Sequence, residues 1–94
     1  MESTYVGESV RFTVTATDQS GHPFDPPVLT VEALKPDGTE QTILTRSDFS
    51  YDATSGQAVA YYTVDMPGRW RFRITVKDAL NNTGIEDYYL TVLE

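Results

Sequence analysis

The chain has 94 residues, no cysteine and a formal net charge of −7. That length makes one domain with a single thin core, and the missing cysteine excludes disulfides, thiolate metal sites and thiol nucleophiles. The acidic balance argues against nucleic acid as the main partner, because a phosphate backbone demands a basic surface.

In chain order, turn residues recur at short intervals between β-branched and aromatic runs, which is the pattern of an all-β chain. A short first strand is predicted around Thr4 to Val6, ending at Gly7-Glu8. In the second, Val10, Phe12, Val14 and Ala16 share one face while Arg11, Thr13, Thr15 and Thr17 share the other, because strand side chains alternate with period 2. His22 to Pro27 holds three prolines, which cannot donate to a ladder, and reads as a loop. The third strand turns Leu29, Val31 and Ala33 inward and Thr30 and Glu32 outward. Lys35 to Thr39 is a turn, with Pro36 presetting φ and Gly38 supplying a positive φ. Glu40 to Thr45 is predicted as an edge strand, and Asp48 to Asp52 as a short extended piece. Gln57 to Val64 follows, with Ala58, Ala60, Tyr62 and Val64 inward.

Pro67 to Asp78 carries the clearest pattern in the chain. Trp70, Phe72, Ile74 and Val76 alternate with Arg71, Arg73, Thr75 and Lys77, giving one apolar and one basic face. Asn81 to Gly84 closes a hairpin or short loop, and the last strand runs from about Ile85 to Leu93. There Tyr88, Leu90 and Val92 point inward and Asp87, Tyr89 and Thr91 outward. The predicted core centres on Phe12, Trp70, Phe72, Ile74 and Leu90. Seven or eight short antiparallel strands in a chain of this length suit two packed sheets better than a closed barrel. No segment has the apolar 3.6-residue period of a long helix, and no run approaches the roughly 20 apolar residues of a membrane span.

The segment Asp65 to Asp78 resembles the penultimate strand of bacterial and phage immunoglobulin-like domains, including PKD-type modules, where a Pro-Gly-x-aromatic start leads an alternating strand that ends in Asp. Gly7 to Asp18, Gly21 to Pro26 and Pro36 to Thr39 are similar to the same kind of domain, so the resemblance spans nearly the whole chain. It implies a single immunoglobulin-like antiparallel β-sandwich over residues 1–94. The chain departs from antibody-type domains: it has no cysteine pair, and its Trp70 lies on the penultimate strand. In phages such domains decorate capsids, tails or fibres. In bacteria they serve as spacers or adhesion modules.

Each candidate site in the chain has a plainer reading beside it. His22 and Asp25 could be drawn into a Ser-His-Asp set with any serine, but nothing in the spacing joins them, and no carboxylate pair stands out for acid–base work. Asp18, Asp48, Asp52, Asp78 and Asp87 lie at strand ends and could gather around calcium. No local Asp-x-Asp-x-Asp loop supplies the six to eight oxygens calcium takes, and aspartates at strand ends ordinarily accept turn hydrogen bonds. Asn81 to Thr83 is a glycosylation sequon that, in a bacterial or phage protein, marks only a loop. The basic stripe of Arg71, Arg73 and Lys77 could bind a partner. In an immunoglobulin-like arrangement, however, Glu32 and Asp87 would flank and neutralise it from neighbouring strands. Tyr61, Tyr89, Phe49 and Tyr51 fall on outward or edge positions, where tyrosine suits protein contact or sugar stacking. Arg71, Arg73, Tyr61 and Tyr89 are therefore the candidate contact residues, with no catalytic, metal or cofactor set.

The resulting expectation is a non-enzymatic structural or decoration module on a phage virion surface, binding a protein lattice and monomeric or weakly oligomeric when free. It is expected to bind neither nucleic acid nor membrane. The opening methionine, the lack of a secretory leader and the acidic surface suit a small protein made in a bacterial cytoplasm. The alternative is an adhesion or carbohydrate-binding module from a larger bacterial surface protein.

Overall fold

The computed structural model describes residues 3–94. Ten strands and one turn of 3-10 helix make up its regular structure, and among these residues no helix is long and apolar enough to cross a membrane. The strands are β1 (Ser3–Tyr5), β2 (Ser9–Val14), β3 (Ala16–Thr17), β4 (Pro23–Phe24), β5 (Val28–Leu34), β6 (Glu40–Leu44), β7 (Ser50–Asp52), β8 (Gln57–Thr63), β9 (Gly68–Lys77) and β10 (Thr83–Leu93). They form a five-stranded sheet in the order β1-β10-β9-β5-β6, a three-stranded sheet β2-β8-β7 and a two-stranded ribbon β3-β4. All pairings are antiparallel except β1 with β10. The chain is thus an all-β sandwich. Its larger sheet holds β5, β9 and β10 side by side, the placement that the third and last two main strands take in an immunoglobulin-like fold.

The period-2 reading places the core well. Leu29, Val31 and Ala33 of β5, Ala58 and Ala60 of β8, and Trp70, Phe72 and Ile74 of β9 are buried, as are Phe12, Val64, Leu90 and Val92. Phe72 stacks with Trp70 at 5.7 Å between ring centroids and receives the Phe12 ring edge-on at 5.0 Å from the opposite sheet. Tyr62 meets Trp70 edge-on at 6.2 Å. The indole N–H of Trp70 donates to the Met66 carbonyl at 3.0 Å, so the largest buried side chain leaves no polar atom unpaired. Lys35 caps this end of the core. Its Nζ lies 5.6 Å from the Trp70 ring centre and 3.2 Å from Asp65.

Gly68 opens β9 at φ +124°, and a Cβ there would come within 2.6 Å of the Pro36 side chain. The turn carrying Pro36 closes through Gly38 N–H to the Lys35 carbonyl at 2.9 Å, with Gly38 at φ +91°. The strand with the core aromatics and the β5–β6 turn therefore pack closely together, the Gly68 backbone against the Pro36 ring.

Four expectations are corrected. The strand count rises to ten because short extended pieces pair in their own right. His22 to Pro27 is not wholly loop: Pro23 and Phe24 pair with Thr17 and Ala16, which a proline allows at the start of a two-rung edge. Phe49 is buried and Tyr51 packs against the core. The 3-10 turn at Arg46–Asp48, with Asp48 accepting the Thr45 N–H at 2.8 Å, resets the strand phase so that both rings face inward. Tyr88 sits opposite Phe72 on the inner face of β10 yet is 51% exposed, because the second sheet does not reach over it.

Removing the central ring tests this packing. Trp70→Ala should cost about 3–5 kcal/mol, read as a lower denaturant midpoint with an unchanged slope. A variant as stable as the parent would refute the assignment. Gly68→Ala should also destabilise, because it imposes both a disfavoured φ and a clash with Pro36.

Candidate functional site

The outer face of the five-stranded sheet gathers three of the four candidate contact residues. In cross-strand register, Glu32, Arg73 and Asp87 form one row, and Leu34, Arg71 and Tyr89 form the next. Arg73 grips Asp87 through two bonds, Nε to Oδ1 at 2.8 Å and Nη2 to Oδ2 at 3.1 Å. The bond from Arg73 holds the Asp87 carboxyl below its ordinary value, and Asp87 in turn raises the guanidinium. Arg71 lies 3.5 Å from Glu40 on β6 through Nη2, while its buried Nε has no hydrogen-bond partner. Arg69 stacks over the Tyr89 ring at 4.9 Å.

The basic stripe is therefore largely spoken for. Arg73 pairs with Asp87 on one side and has Glu32 opposite in register on the other, and Arg71 finds Glu40 rather than Glu32. What remains open is Tyr89, 51% exposed, with one face against Arg69 and Arg71 beside it in register. Tyr61 does not join this group. It stands opposite Arg11 on the outer face of the other sheet, 62% exposed.

The aspartates proposed as calcium ligands are occupied locally. Asp18 accepts the N–H groups of Ser20 and His22, Asp52 that of Thr54, and Asp78 those of Leu80 and Asn82. Asp48 caps the 3-10 turn and Asp87 holds Arg73. Among the described residues no group of three or more metal-binding side chains lies together. Asp25 is tied to Arg46 through paired bonds of 2.8 and 2.7 Å, so it does not serve His22, whose side chain is largely exposed.

A second feature lies at the open side of the sandwich, where β2 and β3 face β10 across a groove. Val14, Phe24, Ile74, Val76, Ile85 and Tyr88 line it. Sequence reasoning missed this groove, although the inward phase of β10 carried a signal. Stepping back from Val92, Leu90 and Tyr88 by twos reaches Glu86 and Gly84, which cannot continue an apolar core.

The chain matches no protein-family model and no curated protein sequence. In fold it is similar to part of the crystal structure of a candidate glycoside hydrolase from Bacteroides vulgatus, with a TM-score of 0.61 at 13% identity. All of this chain is covered, but it spans only 17% of the length of that structure. The likeness concerns the sandwich alone.

The carboxylate arrangement predicts an acid-sensitive fold. Asp37, Asp78 and Asp87 are all held below the ordinary value of 3.8, Asp37 chiefly by the Thr39 N–H, Asp78 by Asn82 and Asp87 by Arg73. Carboxyls depressed in the folded state stabilise it fully above their unfolded value, and that contribution fades as pH falls through the lowered ones. Melting temperature should therefore hold level above pH 5 and fall below about pH 4, with a shallower fall in Asp87→Asn. An acid profile identical in that variant would contradict the Arg73 pairing.

Proposed function

We propose that this chain is a non-enzymatic protein-binding module that decorates a phage virion, contacting its lattice through the outer face of the five-stranded sheet. The observation that carries this reading is the Tyr89, Arg69 and Arg71 cluster on a sheet face whose Arg73 is already paired with Asp87. Tyrosine and arginine are the residue types enriched at protein interfaces, and energetic anchors cluster where such side chains are already held in place. The Arg69 stack holds the Tyr89 ring before contact, which lowers the ordering cost of binding. Internal pairing leaves Arg73 little net charge to desolvate. The likeness of Asp65 to Asp78 and Gly7 to Asp18 to phage immunoglobulin-like domains supports the virion setting.

A second reading is an accessory module, adhesive or carbohydrate-binding, within a larger bacterial surface protein. It is favoured by the solved structure in which a similar sandwich makes up 17% of a longer chain. Exposed Tyr61 or Tyr89 would then stack on sugar rings.

Cosedimentation with purified phage shells tests the first reading. The chain should saturate repeated sites on the particle, with weak binding at each site strengthened by multivalent display. Tyr89→Ala should weaken it by roughly 10- to 100-fold. Absence of binding to any shell would overturn the virion role. Glycan binding abolished by Tyr61→Ala or Tyr89→Ala would instead establish the second reading.

A further inference from the structure

The two sheets do not meet along their whole length. β2 is an edge of the three-stranded sheet, with β8 on one side and nothing on the other. β10 is covered on its outer edge only where β1 pairs with Thr91, Val92 and Leu93. Among the described residues, no strand and no backbone hydrogen bond occupies the outer edge of Thr83 to Tyr88. Two free edges thus border one seam. An open edge is a ready template for another strand, and the alternate N–H and C=O groups pointing away from β9 have no ladder partner.

The seam offers apolar side chains among threonines and Asn82 where a strand's inward side chains would rest. Ile74, Val76, Val14 and Phe24 line it, and Ile85 and Tyr88 on its rim are 60% and 51% exposed. An uncovered strip of this kind beside a free edge is the combination that strand addition uses, with main-chain bonds giving affinity and alternate side chains giving specificity.

The charge of the seam restricts the occupant. Asp78 and Glu86 are the charged residues around its wider part, and Arg11 stands further along, beside Phe12. Glu86 belongs to the inner face of β10, opposite Ile74, where its carboxylate accepts only the hydroxyl of Tyr88 at 2.7 Å. A second copy of this chain fits poorly. Pairing β10 with itself would bring Glu86 and Asp87 of both copies together between molecules that each carry −7, and like charges across paired strands destabilise.

We propose that the seam between β2 and β10 receives an extended segment of a partner protein, added as a strand along Thr83 to Tyr88, with apolar side chains facing Ile74 and Val14 and a lysine or arginine against Glu86. The six residues of free edge give about 20 Å of ladder, so a segment of six to eight residues suffices. This rests on the protein-binding reading but uses a surface distinct from Arg69 and Arg71, so it stands or falls separately from particle binding.

Two blocked octapeptides serve as probes, each with threonine at the outward positions and valine at the inward ones except opposite Glu86, where one carries lysine and the other glutamate. Titrated into the isotopically labelled full chain, the lysine peptide should shift the amide resonances of Thr83 to Tyr88 and of β2. It should slow exchange of the outward amides of that edge. The glutamate peptide should bind at least tenfold more weakly, and Glu86→Gln, an exposed and conservative change, should erase most of that preference. Arg69→Ala, on the sheet face and outside the lining of the seam, should leave both peptides' binding unchanged, which separates this site from the sheet face. The proposal is overturned if neither peptide binds, if the shifts map elsewhere, or if both peptides bind equally. Sedimentation showing that the free chain self-associates through these same residues would also overturn it, by making a second copy the occupant.

Discussion

With no cysteine in the chain, whatever holds the two sheets face to face must pass through the side chains between them. The inner face of β9 supplies the largest share. Trp70 and Phe72 lie stacked along it, and Phe12 reaches across from β2 to close the contact edge-on. Flanking elements are arranged around this column: Lys35 over the indole, Met66 accepting its N–H, and Pro36 pressed against Gly68 where the strand begins. A thin core of this kind concentrates stability in few residues. A loss of 3–5 kcal/mol at one ring is then a large part of the roughly 5–15 kcal/mol typical of a domain.

The outer face of the same strand shows how alternation divides labour. Two of the residues that make β9 basic on the outside, Arg71 and Arg73, are opposed by Glu40 and by Glu32 and Asp87, while Lys77 stands between Val28 and Thr83. Exposed ion pairs of this type contribute little to stability. Their larger effect is on what the face can bind. A sheet whose charges are matched internally presents Tyr89 and its Arg69 stack as its distinctive feature, rather than a broad positive field.

Much of this was legible in the sequence because strand periodicity is local. Leu29, Val31 and Ala33, or Ala58 and Ala60, need only their own alternation to be assigned to the core, and Pro36 and Gly38 announce their turn by chemistry. Coverage is not local. Tyr88 has the right phase to be buried, but only the extent of β2 decides whether anything lies above it. Phase itself fails across an irregular turn, as at Arg46–Asp48, where the 3-10 geometry sends Phe49 and Tyr51 into the core. The candidate contact residues divide the same way. Tyr89 and Arg71 were readable as outward, but their separation from Tyr61 depends on sheet assignment, which no single strand reveals.

The arrangement leaves a domain closed at its centre and open along one edge: β9 is paired on both sides and buried beneath, while Thr83 to Tyr88 is paired on one side only. Residue-resolved amide hydrogen exchange on the free chain tests this division most directly. The account predicts that the amides of β9 from Trp70 to Ile74 exchange as slowly as any in the molecule, through global unfolding, while the outward amides between Thr83 and Tyr88 exchange rapidly. Equal protection of those outward amides and of β9, or early exchange at Trp70 and Phe72, would contradict it.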